Sequence, residues 1–178
     1  ISSLLTDHAS KVTSARALKL IEPEETGRTF VKNANLKALA AATSSGLPSL
    51  ADDSGISIPF LDHRPGIYSA RWAGPDRNFE LAMEKILSLL KESGINDRRA
   101  YFTCALSLAW PDQHIETFTG KIWGSVTYDL RGDKGFGYDA IFQPTGFEET
   151  FGEMDRWEKN KISHRADAFT KLLSGCFN

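Results

Sequence analysis

Residues 102–126 restrict the fold more than any other stretch. Phe102, Cys104, Leu106, Leu108 and Trp110 fall on one side of a period-two pattern, with Thr103, Ala105, Ser107 and Ala109 on the other. A period of two is the signature of a strand, because successive side chains leave a strand on opposite faces. The turn formers Pro111-Asp112 follow, and Ile115 to Val126 reads as a second strand, so the pair is expected to form a hairpin.

Helical patterns lie on both sides of this hairpin in the sequence. From Thr29 to Ser45 the chain is Ala-rich, Phe30, Ala34, Ala38 and Ala41 recur at helical spacing, and Gly46 and Pro48 end the pattern. Asn33 and Lys37 stand one turn apart on a neighbouring stripe. A second helix is expected after Asp76 as its cap, with Phe79, Met83, Ile86 and Leu90 on its apolar face and Gly94 closing it. A third is expected from about His164 to Leu173, after a mixed-charge stretch from Phe147 to Asn160. Between the first two helices, Leu47 to Ala51 reads as a short strand breaking into a turn at Asp52-Asp53-Ser54-Gly55. Ile56 to Leu61 then resumes as an edge strand limited by Pro59. A turn-rich loop at His63-Arg64-Pro65-Gly66 and a glycine-rich loop at residues 131–139 complete the pattern, the latter leading into a short strand from Ala140 to Phe142. Strands mixed with helices place the chain in the α/β class.

Composition excludes several classes. With 178 residues, 41% of them apolar, and 11 Phe, 4 Trp and 4 Tyr, the chain has enough apolar area for a core and is not a disordered sequence. A net charge of −2 lacks the basic surplus of a dedicated nucleic-acid binder. No stretch approaches the roughly 20 apolar residues of a membrane span. Cys104 and Cys176 have neither CxxC nor metal-ligand spacing, which suits two unpaired thiols in a reducing compartment, the cytosol.

Four segments carry residues suited to chemistry. Asp52-Asp53 follows an apolar strand; it is either an ordinary turn or part of a hard-cation site, since Mg²⁺ takes one or two carboxylates with waters and phosphates. Glu24-Glu25 is a second acidic pair, either a solvated loop or a partner to the first. Phe136 and Tyr138 sit among glycines that allow close backbone approach, which suits either a tight connection or stacking on a flat ring. The loop fits neither the phosphate-loop nor the dinucleotide spacing. Lys159, His164 and Arg165 offer donors to phosphate or carbonyl oxygens, or simply begin a charged helix.

Taken in order, five blocks resemble the inosine/xanthosine triphosphate pyrophosphatase family. They are Glu25-Thr26-Gly27-x-Thr29-Phe30-x-x-Asn33-Ala34-x-x-Lys37-Ala38, Leu50 to Gly55, Pro65 to Arg71, Gly135 to Asp139, and Glu158 to Ala166. The resemblance implies a single domain over residues 1–178: an elongated mixed β-sheet flanked by helices, in two lobes with a cleft between them. It implies hydrolysis of ITP, dITP and XTP to the monophosphate and pyrophosphate by a homodimer that uses Mg²⁺ and partners neither nucleic acid nor membrane. The alternatives are a pyrophosphatase for other modified nucleotides and a silent nucleotide-binding module.

Residue by residue, the resemblance makes Glu25 and Asp53 the metal ligands, and Asp53, with Asp52 beside it, the catalytic carboxylates. Lys37, Ser54, Phe136, Gly137, Tyr138, Asp139, Lys159, His164 and Arg165 become the substrate contacts. Two departures are visible. Ala140 stands where the family usually has proline, and Ile1 to Leu5 resembles the helix after a family Thr/Ser-x-Asn-x-x-Lys loop, so the first strand and that loop are expected upstream of residue 1.

Overall fold

The structure is a computed structural model, and it describes residues 11–177; the helix expected at Ile1 to Leu5 lies outside the described residues. Its secondary structure is α/β, as the sequence pattern requires. Helix α1 (Phe30–Ser45) precedes strand β1 (Ser49–Ile58), the two-residue β2 (Arg64–Pro65), a short α2 (Ser69–Trp72) and α3 (Phe79–Glu92). Strands β3 (Arg99–Ala109) and β4 (Ile115–Val126) follow, then β5 (Phe142–Pro144), α4 (Arg156–Ile162) and α5 (His164–Cys176). The strands form one five-stranded sheet in the order β2-β1-β3-β4-β5, with helices accompanying it. The outer pairings are antiparallel: Ser57 faces Pro65 in β1–β2, and Ser125 faces Gln143 in β4–β5.

The helix ends have identifiable causes. Thr29 caps α1 by accepting from the Lys32 amide, and Gly46, in a left-handed conformation, ends it by donating its N–H to Ala42. Asn78, rather than the expected Asp76, caps α3 by accepting from the Leu81 amide, because it stands directly before the first helical residue. Asp155 caps α4, a helix that the mixed-charge composition of residues 147–160 concealed.

Two further expectations are corrected. Residues 49–58 are one continuous strand, so Asp52-Asp53-Ser54-Gly55 is no turn. Gly55 permits this: a Cβ there would collide with the Ser69 hydroxyl and the Gly66 carbonyl, which pack against the strand at that point. Residues 139–141 are a 3₁₀ turn, and the last strand begins only at Phe142.

The described chain divides into two compact units, to each of which β1, β3 and β4 contribute one end. The first holds residues 11–53, 105–118 and 169–177. There the buried alanines Ala38 and Ala42 of α1 meet Ala109, with Leu39, Ala51 and Ile115 around them, so small side chains let the helix lie close to the strands. The second unit, residues 54–104 and 119–168, has the larger core. Ile56 and Ile58 of β1, Met83, Ile86 and Leu90 of α3, and Phe102, Phe142 and Phe151 are all buried in it. Phe102 and Phe142 meet edge to face with ring centroids 4.6 Å apart, a geometry favoured by the aromatic quadrupole.

Candidate functional site

In the first unit, the start of α1 folds the preceding loop back on the helix. The Gly27 amide donates to Asn33 Oδ1 at 2.8 Å, which brings the segment carrying Glu25 beside the helical stripe of Asn33 and Lys37. Lys37 Nζ donates to Glu25 Oε1 at 2.6 Å and to Asp53 Oδ1 at 3.2 Å. Asn33 Nδ2 donates to Asp53 Oδ2 at 3.2 Å, so both oxygens of that carboxylate are engaged. Three of the expected residues, Glu25, Lys37 and Asp53, therefore meet around one ammonium. Alternation along the continuous β1 sends Asp52 to the face opposite Asp53.

Two carboxylates share that single ammonium, and the setting shifts the titrations of Asp53 and Lys37. Burial raises the Asp53 carboxyl above its ordinary value, and the Glu25 charge adds to this against the opposing charge of Lys37. Burial alone would lower Lys37, but its hydrogen bond to Glu25 and the charges of Asp53 and Glu25 outweigh it, and the ammonium is held more firmly protonated. Among the described residues, no group of three or more His, Cys, Asp and Glu side chains is placed to hold a metal. Glu25 and Asp53 nevertheless form a donor set of the kind Mg²⁺ accepts, one or two carboxylates completed by water and phosphate oxygens. The group fits.

In the second unit, the glycine-rich loop is organised by Asp139. Its Oδ2 accepts from the Phe136 amide at 2.7 Å and also from Lys159 Nζ of α4. Gly135 lies at φ +80°, and a Cβ there would strike that same carboxylate, so only glycine suits the position. Gly137 completes the bend at φ +67°. Lys159 is buried, its ammonium 4.7 Å from the Phe136 ring centre and 5.2 Å from that of Phe151; the Arg165 guanidinium lies 5.1 Å from Phe136. Lys159, expected to balance phosphate charge, thus already has its charge matched by Asp139. Phe136 is largely exposed, with both cations close to its ring.

Tyr138 points inward instead. Its hydroxyl donates to the Ser69 carbonyl at 2.7 Å, its ring meets Phe79 edge-on, and burial pushes its titration up. Ser69 in turn accepts from the Ile56 amide and donates to the Gly66 carbonyl, joining β1, the turn after β2 and the glycine-rich loop.

His164, the first residue of α5, is buried with its ring stacked on Phe102, centroids 4.7 Å apart and planes within 12°. A guanidinium can only donate, so the 3.3 Å contact from Arg165 makes His164 Nε2 an acceptor and leaves the ring proton on Nδ1, which has no partner among the described residues. Burial, then the charges of Arg165 and Lys159, hold His164 well below its ordinary titration range, and the ring is neutral. Ser54 stands on β1 in this unit. Sequence reasoning assigned no role to Asn33, Ser69, Phe102 or Phe151; Asn33 alone carried a usable signal, its position one helical turn before Lys37.

A model of the Ham1 family matches residues 1–175. This chain belongs to the Ham1 family. Its similarity to curated relatives runs along nearly its full length. It is 53% identical over 180 residues to the dITP/XTP pyrophosphatase of Rhodospirillum centenum, covering 99% of this chain and 88% of that one. It is 51% identical over 178 residues to the dITP/XTP pyrophosphatase of Gluconobacter oxydans, with 99% and 84% covered. Among solved Ham1 structures, the fold matches a HAM1 protein from Coxiella burnetii with a TM-score of 0.90 at 35% identity, over 98% of this chain and 91% of that one. The Staphylococcus aureus Ham1 protein matches with a TM-score of 0.84 at 38% identity, over 90% and 83%.

Proposed function

We propose that this Ham1-family chain hydrolyses deaminated purine nucleoside triphosphates, namely ITP, dITP and XTP, to the monophosphate and pyrophosphate. The observation that carries the reading is the pair of carboxylates, Glu25 and Asp53, gathered around the Lys37 ammonium. The pyrophosphatase relatives, half of whose residues are identical to this chain's, supply the substrate class.

Attack of water at the α-phosphorus needs a proton acceptor and compensation of the charge that builds on the leaving pyrophosphate. Glu25 and Asp53 would hold Mg²⁺, which when bound polarises phosphoryl oxygens and orients water. Asp53 accepts the proton of the attacking water; Asp52, the other carboxylate of the pair, faces the opposite side of β1. Lys37 carries a firmly held positive charge for the phosphates. Ser54 belongs to the substrate contacts beside Asp53.

In the second unit, the residues around the glycine-rich loop suit recognition of a base. Phe136, held open by Gly135 and Gly137, is a stacking surface, and Tyr138, Asp139 and Lys159 fix the loop that carries it. Arg165 presents N–H donors suited to a 6-keto group, and the neutral His164 is proposed with it, its one N–H on the buried Nδ1. The 6-amino group of ATP would leave such donors unmatched, and buried polar mismatch discriminates by about 10⁴–10⁵, far beyond what shape alone gives.

The test is release of pyrophosphate and monophosphate from ITP, XTP, ATP and GTP, with and without Mg²⁺. ITP and XTP are expected to turn over only with the cation, with ATP and GTP poor substrates. Equal rates on all four, or orthophosphate as the only inorganic product, would refute the reading. The same reading includes a homodimer in the cytoplasm, checked by sedimentation and by cell fractionation. No helix among the described residues is long and apolar enough to cross a membrane.

A further inference from the structure

The cluster in the first unit contains one member that carries no charge and has no part in the chemistry above. Asn33 is wholly buried, and both ends of its amide are used. Oδ1 accepts from the Gly27 amide at 2.8 Å, and Nδ2 donates to Asp53 Oδ2 at 3.2 Å. The loop bearing Glu25 and the strand bearing Asp53 are thereby tied through one side chain. Gly27 is shaped for this: a Cβ there would collide with Asn33 Oδ1 and crowd the Lys32 Cβ.

Lys37 ties the same two segments, through Glu25 Oε1 and Asp53 Oδ1. The two ties differ in what a divalent cation does to them. A cation held by Glu25 and Asp53 would compete with the ammonium that both carboxylates now share, because two positive charges repel at that range. The neutral amide of Asn33 sits on the other oxygen of Asp53 and has no such conflict.

We infer that Asn33 is a positioning residue: it fixes Asp53 through Oδ2 and the Glu25 loop through Gly27, keeping the carboxylates in place when the Lys37 ammonium yields to a divalent cation. The inference rests on the reading of Glu25 and Asp53 as cation ligands. Side chains that orient metal ligands from behind typically cost 10–100-fold in metal affinity or activity when removed, and Asn33 stands in that relation to Asp53.

The experiment titrates Mn²⁺ into the nucleotide-free protein and follows free Mn²⁺ by electron paramagnetic resonance, with kcat and KM for ITP measured alongside. Asn33→Ala is expected to weaken Mn²⁺ binding about 10–100-fold and to lower kcat over the same range with KM nearly unchanged. Gly27→Ala, which displaces the amide without touching Asp53, should shift Mn²⁺ affinity in the same direction. The double variant should be no worse than the poorer single one, because both act through one contact. Lys37→Met, which removes the competing ammonium, should bind Mn²⁺ at least as tightly as the wild type; weaker binding would give the tie to Lys37 and overturn the inference. Circular dichroism reports folding, and Asn33→Ser carries the same readout if Asn33→Ala does not fold. Wild-type affinity in the folded Asn33 variants, with Asp53→Asn abolishing binding, overturns the positioning role and leaves the cation reading standing. Absence of Mn²⁺ binding by the wild type overturns both.

Discussion

Asp53 with Lys37 and Asp139 with Lys159 are the same two residue types in contact, one pair in each unit of the molecule, yet they are completed differently. Around Lys37 a second carboxylate, Glu25, joins the pair. Around Lys159 the extra charged group is a cation, Arg165, which also lies near the Phe136 ring, and the adjacent histidine is kept neutral. The first group is suited to a cation, the second to carbonyl oxygens and an aromatic ring. What a buried ion pair can do is set by the third charge beside it.

That comparison can be broken most sharply at Asp53. Asp53→Asn keeps the shape and the Lys37–Glu25 contact but removes one of the two carboxylates. Turnover of ITP should fall at least about 10³-fold, the equivalent of several kcal/mol of lost transition-state stabilisation. The melting temperature should stay within about 4 °C. An active variant would remove Asp53 from the chemistry.

Lys159→Met should act the other way, on stability first. Leaving the Asp139 carboxylate buried without its partner should cost about 3–5 kcal/mol in urea unfolding, with part of this recovered in the Asp139→Asn, Lys159→Met double variant. A cost below 1 kcal/mol would make the two pairs more alike than their surroundings suggest.

A smaller effect comes from His164. Its folded-state titration lies well below 6.5, so below that pH the unfolded chain binds a proton that the folded chain does not. Stability contributed by the neutral ring is complete above pH 6.5 and is lost as pH falls toward the folded-state value, at up to about 1.4 kcal/mol per pH unit. Urea melts between pH 7.5 and 5.5 should show this slope, and His164→Asn should flatten it; parallel slopes would place the charge sensitivity elsewhere. Smallest is Tyr138→Phe, which loses only the hydroxyl donated to Ser69 and should cost about 0.5–1.5 kcal/mol. Its KM for ITP should rise if the glycine-rich loop carries the base, and unchanged kinetics would separate loop anchoring from recognition.

Much of this contrast could be read from the sequence, for physical reasons that differ by residue. The hairpin strands and α1 were legible because period-two and helical spacing record which face is buried. Glu25, Lys37 and Asp53 were legible as charged residues in family blocks, and in the structure Lys37 contacts both carboxylates. The continuity of β1 was not legible, since Asp-Asp-Ser-Gly is turn chemistry by local preference; here the packing of Ser69 and Gly66 against Gly55 decides for a strand. Asn33 was hidden because an amide on a polar stripe looks solvated until its partners, 6 and 20 residues away in sequence, are placed. The stacking of Phe102 on His164 joins residues distant along the chain, and no periodicity in the sequence records it.

Gly46 and Gly135 share a left-handed backbone, at φ +67° and +80°, but a side chain at Gly46 would meet open space and one at Gly135 would meet the Asp139 carboxylate. Asparagine, which tolerates that conformation, can replace the first and not the second. In mutational tolerance the two glycines are therefore unequal: the helix-ending position accepts drift within a small alphabet, whereas Gly135 is frozen twice over, by its own backbone and by the carboxylate that organises the loop. Variation in the Phe136 surface must then come from positions around this loop, never from its hinge.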